Sequence, residues 1–252
     1  MIGLNTLRTG ALAAALLLVP AASALAQNTV RPEVGKPLQA ADSLFKAKKY
    51  REALAKVAEA DGASGKTPYE TYVITRTRGS IAAAAGDHAA AARDFEAVIA
   101  TNRSTGAEQL KLIQAVAGLH YHARDYAKSA SWASRYQREG GTDPVMQTLV
   151  VQSHFLLNDC AAVAKAVGTG NGRRPSEQEL QMLANCYNKQ KDSTGYVAAI
   201  ERLVTLYPKK EYWTDLLNRV QKKNGFSDRL SLDVFRLKLA TDNVTTAGDY
   251  LE

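Results

Sequence analysis

Three sets of residues in the sequence have types and spacings that could support chemistry. The first is Ala60-Asp61-Gly62-Ala63-Ser64-Gly65-Lys66-Thr67, a permissive match to a phosphate-binding loop. Such a loop works where it joins a strand to a helix whose N–H groups face the phosphate. Here an amphipathic helical stretch precedes it and Pro68 follows as a helix opener. No acidic residue closes a strand to hold magnesium, so the segment reads as a connecting loop and no nucleotide cofactor is expected.

The second set is the histidines His88, His120, His122 and His154. His120 and His154 fall at matching places in neighbouring units, which could bring two imidazoles together. A zinc or copper site of the usual kind needs a third ligand about 2 Å from the ion, and the sequence offers none. His120 and His122 are two apart on a helix and point different ways. Packing between helices is therefore the expected role, with no metal.

The third set is the cysteine pair Cys160 and Cys186. Their separation rules out a CxxC redox motif, and two soft ligands without clustered partners make a poor zinc site. Two outcomes stay open: a structural disulfide, or two buried thiols. No HExxH motif or paired acidic catalysts stand out, so a non-enzymatic protein is expected.

The elements that carry these residues are helical. Apolar residues make up 46% of the 252, alanine dominates them, and alternating Val, Ile and Thr runs are scarce. That composition favours closely packed helices over a sheet. The first 26 residues stand apart. Arg8 gives a positive start, Gly10 to Val19 a short apolar run, and Ala24-Leu25-Ala26 a signal-peptidase site before Gln27. The run is too short to span a bilayer, and no later segment reaches about 20 apolar residues. Export of bacterial type to the periplasm is expected, followed by a flexible linker over residues 27–36. The formal net charge of +7 falls to +6 without Arg8. The cations are scattered (Lys46, Lys48, Lys49 and Arg51; Arg173 and Arg174; Lys209 and Lys210; Lys222 and Lys223), which suits solvated helix ends. Export argues against nucleic acid, while acidic partners remain suited to the charge.

Segments beginning at Tyr50, His88, Tyr126, Cys160 and Tyr196 repeat one apolar stripe, with starts 34 to 38 residues apart. Each follows a second helical stretch and a tight turn: Lys48-Lys49, Gly86-Asp87, Arg124-Asp125, Asn158-Asp159 and Lys191-Asp192. Gly, Asn and Asp there tolerate left-handed backbone and cap the next helix. The preceding helices are predicted over Pro37–Ala47, Pro68–Ala85, Gly106–Ala123, Pro144–Leu157 and Pro175–Gln190. Four open on proline, and Thr67 and Asp143 are placed to cap. A sixth pair is predicted over Lys210–Asn224 and Ser227–Ala240, joined at Gly225. A Gly-rich bend is expected near 168–174. At Asp249-Tyr250-Leu251-Glu252 a further helix starts, which predicts that the last hairpin is cut short or covered by a partner.

This pattern resembles the tetratricopeptide repeat (TPR) family. Gly79, Ala82, Gly86, Ala91, Phe95 and Val98 fall at the family's offsets in the second unit, and Ala41, Tyr50, Ala53 and Ala60 in the first. The tryptophan near the start of the family's first helix is missing, and the spacing exceeds 34 residues. The resemblance spans about residues 38–208. It implies an all-α, α-α superhelix: a right-handed solenoid of stacked TPR-like hairpins, five or six pairs over residues 37–252. It further implies a partner held on the concave face of the first helices of each pair. That face would present Arg76, Ser80, Lys111, Gln114, Tyr121, His122, Gln152, Phe155, Asn188 and Lys191. The asparagine and lysine set that clamps a peptide carboxylate is not reproduced. The expected function is a protein-binding scaffold or adaptor of the cell envelope, with a protein or acidic peptide as partner. An alternative is a glycan-binding or assembly module of a cell-wall or exopolysaccharide system.

Overall fold

The structure, a computed structural model, describes residues 28–169, 172–220 and 228–244. The predicted signal segment, Gly170, Asn171, Gly225 and the closing residues 249–252 lie outside the described residues.

The described residues form twelve helices and no strand. They pair into six antiparallel hairpins. These are α1 (Pro32–Lys46) with α2 (Tyr50–Asp61), α3 (Pro68–Ala84) with α4 (His88–Ala100), and α5 (Gly106–His122) with α6 (Tyr126–Arg138). Then come α7 (Pro144–Leu156) with α8 (Cys160–Thr169), α9 (Glu177–Lys189) with α10 (Ser193–Leu206), and α11 (Lys210–Val220) with α12 (Asp228–Ala240). No helix among the described residues is long and apolar enough to cross a membrane.

The turns within hairpins share one backbone solution. Lys48, Gly86, Arg124, Asn158 and Lys191 all have positive φ, between 56° and 84°. The next residue then donates its N–H back to a carbonyl five residues earlier: Lys49 to Leu44, Asp87 to Ala82, Asp125 to His120, Asp159 to His154 and Asp192 to Tyr187, at 2.9–3.0 Å. This closes the end of one helix. Four of those same residues open the next: Asp87, Asp125, Asp159 and Asp192 each accept an N–H three positions on. One dipeptide thus ends a helix and starts its partner.

At the other end, Thr67 and Ser176 form capping boxes with Glu70 and Glu179, and Asp143 caps α7 through Val145 N. Pro68 and Pro144 occupy the first turn as predicted. Four expectations change. The first helix opens at Pro32, so residues 32–36 are helix rather than linker and Pro37 lies inside it. Pro175 precedes the Ser176 cap instead of opening α9. The helix α10 begins at Ser193, three residues before Tyr196, because Asp192 caps it. Residues 168 and 169 still belong to α8, so the Gly-rich bend starts later than expected.

Apolar burial runs across hairpins. Val34, Ala53 and Val57 of the first pack with Ile74 and Ile81 of the second. Val98 and Ile99 of the second pack with Ile113, Val116 and Ala133 of the third and Val150 of the fourth. Val151 and Val163 pack with Leu180, Leu183, Ala199 and Leu203. Small residues let the helices approach. A Cβ on Gly79 would lie 3.0 Å from Asp94 Cβ and 3.1 Å from the Phe95 ring. The first helices of successive hairpins touch one another (α1 with α3, α5 with α7, α7 with α9), whereas the second helices make no comparable mutual contact among the described residues. The first helices therefore line the inner side of the stack.

Cys160 and Cys186 are bonded, with Cα atoms 5.3 Å apart, which settles the alternative left open by the sequence. The bridge ties the start of α8 to α9 across the bend. Replacing both by serine is expected to lower unfolding free energy by about 3.5 kcal/mol, the chain-entropy value for a loop of this length, as read from urea denaturation. Arg124 and Lys191 hold the left-handed conformation that Gly86 adopts without penalty. Arg124→Gly and Lys191→Gly should each stabilise by about 0.5–1 kcal/mol, since the relieved strain exceeds the added chain entropy. The midpoint of the same denaturation curve measures this.

Candidate functional site: the inner helix face

The inner face is built by α3, α5, α7, α9 and α11, and polar rungs join each helix to the next. Arg76 Nη1 on α3 lies 2.8 Å from Glu108 Oε1 on α5 and 2.9 Å from Tyr72 Oη. Gln114 Nε2 donates to Asp143 Oδ2 at the head of α7, 2.7 Å away. Thr148 Oγ1 donates to Glu179 on α9 at 2.9 Å. Gln181 Nε2 donates to Tyr212 Oη on α11 at 2.6 Å, and Tyr212 also donates to Glu177. At least one polar side chain on each of these helices is thereby committed to a neighbouring helix.

The predicted residues divide accordingly. Arg76 and Gln114 are rungs. Ser80 is exposed but donates to the Arg76 carbonyl one turn back. Lys111 is exposed and has no ion-pair partner among the described residues. Tyr121 is half-buried, edge-on to Tyr126 at 5.6 Å. His122 faces the outer helix α4 of the preceding hairpin, where its ring lies 5.1 Å from that of His88. Gln152 and Phe155 are half-buried on α7, Asn188 is exposed on α9, and the Lys189 ammonium sits 5.1 Å from the Phe155 ring centre. Lys191 is exposed and is the left-handed residue of the α9–α10 turn.

Two residues missed by the sequence reading belong here. Val145 and Leu156 are 60% and 43% exposed. Val145, Gln152 and Leu156 are spaced by seven and four, which places them in one stripe along α7. That spacing was present in the sequence but was masked by the apolar character of the whole helix.

The phosphate-loop match is closed to anions. Lys66 Nζ donates to the carbonyls of Asp61 and Ala63 and lies 3.4 Å from the Asp61 carboxylate. The Arg31 guanidinium takes the carbonyls of Ser64 and Gly65 at 3.2 and 3.1 Å. Carbonyls rather than N–H groups point at the cations, the reverse of a phosphate cradle. Nearby, Arg78 pairs with Asp94 at 2.7 Å and Asp61 at 3.1 Å on the wall of a 690 Å³ surface cavity lined also by Leu54, Ala58 and Arg93. His120 and His154 each face a carboxylate. His120 is buried, with Nε2 2.8 Å from Glu96 Oε1, an oxygen that also accepts from Trp132 Nε1 at 3.0 Å. His154 is half-buried on α7, 3.8 Å from Asp159. Among the described residues no group of three or more His, Cys, Asp or Glu is placed to hold a metal.

Fold and site together define an all-α helical-repeat protein with a partly self-paired inner face. No protein-family model matches the sequence, and no curated protein matches it. Solved structures are similar at low identity. The C-terminal part of a TPR repeat-containing protein from Cytophaga hutchinsonii shares 12% identity over 81% of this chain and 80% of that one, with a TM-score of 0.42. The TPR2AB domain of yeast Sti1, solved as a complex with pHSP90, shares 10% over 82% and 89%, with a TM-score of 0.36.

The enclosed Glu70 carboxylate binds the stack together at its start. It accepts from Arg31 Nε and Nη2, and from the Arg31 and Thr67 backbone N–H groups, at 2.8–2.9 Å. The Arg31 guanidinium first, and then the backbone donors, hold its pKa down to about 2. A carboxylate with a depressed pKa contributes stability that is whole above the ordinary carboxylate range and is lost as pH falls through the native value. Glu70→Gln should therefore flatten the loss of stability between about pH 4.5 and pH 2, measured by denaturant titration at stepped pH.

Proposed function

We propose that the protein is a non-catalytic scaffold of the bacterial cell envelope, holding an acidic protein or peptide partner along its inner helix face. The carrying observation is the stripe Val145, Gln152 and Leu156 on α7, its two apolar residues exposed and its amide half-buried, flanked by two cations that form no ion pair among the described residues. Lys111 stands on one side, and on the other Lys189 covers Phe155. Apolar anchors rimmed by like charge and an amide suit an extended segment that carries both apolar and acidic side chains. The anionic residues Glu108 and Glu177 on this face are neutralised by Arg76 and Lys209, at 2.8 and 2.7 Å. Asp143 at the head of α7 is met by the Gln114 amide at 2.7 Å rather than by a cation, and Lys111 and Lys189 form no ion pair among the described residues. The envelope assignment rests on Arg8, the apolar run from Gly10 to Val19 and Ala24-Leu25-Ala26.

The test places a photo-crosslinking residue at Gln152 and identifies what is captured in the native envelope. Lys111→Glu combined with Leu156→Glu, both at exposed positions, should leave helical content intact and reduce capture of an acidic protein about tenfold or more. Equal capture by the double variant overturns the assignment of this face. Capture of polysaccharide instead of protein favours a glycan-handling role.

A further inference from the structure

We propose that the turn of the first hairpin is a docking tip for an anionic phospholipid surface. Four cations crowd this turn: Lys46, Lys48, Lys49 and Arg51, all exposed. Lys46 pairs with Asp42 and Lys49 with Glu52, at 2.6 and 3.5 Å, in each case between exposed side chains. Lys48 and Arg51 form no ion pair or side-chain hydrogen bond among the described residues. Four cations against two carboxylates leave two positive charges in excess.

Local rules argue against this composition. In the other four hairpins the residue after the left-handed one is an aspartate that caps the second helix: Asp87, Asp125, Asp159 and Asp192. In the first hairpin it is Lys49, which gives α2 no side-chain cap. Lys49 and Arg51 also put positive charge at the positive end of the α2 dipole, and Glu52 in the first turn offsets only part of it. Lys48 holds a φ of 59°, a conformation in which glycine is unstrained. Two unfavourable choices at adjacent positions thus raise the charge of one tip. That is the pattern expected where local stability is given up for binding.

The chemistry of the tip suits a lipid surface. The cations stand on a tight turn at the end of a hairpin, and none of them lines the cavity that runs further along α2 at Leu54 and Ala58. Three of the four are lysines, compact charges on flexible stems, which match a fluid array of phosphates better than a partner of fixed geometry. Phe45 and Tyr50 flank the turn half-buried, their ring centres 5.9 Å apart. Aromatic rings set among lysines are the composition found at the headgroup level of bilayers. The tip is on the first hairpin and the α7 face on the fourth, so either can fail without the other.

Co-sedimentation of the full chain with vesicles tests the tip. The readout is the partition coefficient on phosphatidylcholine vesicles containing phosphatidylglycerol, divided by that on phosphatidylcholine alone. This ratio cancels apolar adsorption common to both. A ratio of about tenfold or more is expected at low salt, falling as added salt screens the charges. Lys48→Gly combined with Lys49→Asp gives the first hairpin the dipeptide of the second, Gly86-Asp87. This variant should unfold at higher urea than the unaltered protein yet lose most of the ratio. Arg93→Gln with Arg138→Asp, an equal loss of charge at exposed positions elsewhere, should leave the ratio unchanged. A ratio near unity for the unaltered protein overturns the proposal. So does a ratio that survives in the Lys48 and Lys49 variant, or one that falls equally in the Arg93 and Arg138 variant. Tip-dependent binding to poly-glutamate without binding to anionic vesicles also overturns it, and assigns the tip to an acidic protein.

Discussion

A single helical hairpin cannot bury the apolar surface it carries, and this constraint organises the whole molecule. Each pair has one face against itself and another that is covered only when a neighbour stacks on it. The clusters follow that rule: Ile74 and Ile81 complete the core begun by Val34 and Val57, and Val98 waits for Ile113 and Val116. Stability therefore accumulates along the array, and every interface shares side chains with the next. The small residues Ala41, Ala53, Gly79, Ala91 and Ala133, all buried, set the distance at which this sharing works.

Stacking needs hairpins of defined geometry, and these come from a very local device. A left-handed residue, a back-directed hydrogen bond and an aspartate cap together reverse the chain within a few residues. Lysine or arginine stands at three of the five left-handed positions, where glycine would be unstrained. A cation there lies beside the closing carbonyls of the preceding helix, which offsets part of the strain. Inner-face rungs such as Arg76 with Glu108 and Gln114 with Asp143 then fix how each hairpin is rotated against the next.

The same rungs decide where a partner can be met. Side chains engaged in holding neighbouring helices together have few donors left, so recognition shifts to what the rungs leave open: the α7 stripe, Lys111 and the Phe155–Lys189 pair. The disulfide lies close by, since Cys186 is three residues from Lys189 on α9 and Cys160 opens the helix after α7. It fixes α8 against α9 across the loop that joins the fourth hairpin to the fifth.

Much of the fold was legible in the sequence. The turn dipeptides, the caps at Thr67 and Asp143 and the helix starts at Tyr50, His88, Tyr126 and Cys160 all depend on contacts within six residues, so residue type alone specifies them. The site was legible only in outline. Which side chain meets which across hairpins depends on the rotation of one packed helix against the next, and that is set by many buried contacts at once. The tertiary structure therefore decided that His122 meets His88 rather than His154 or His120, that Cys160 reaches Cys186, and that Arg31 closes on Glu70 from 39 residues away.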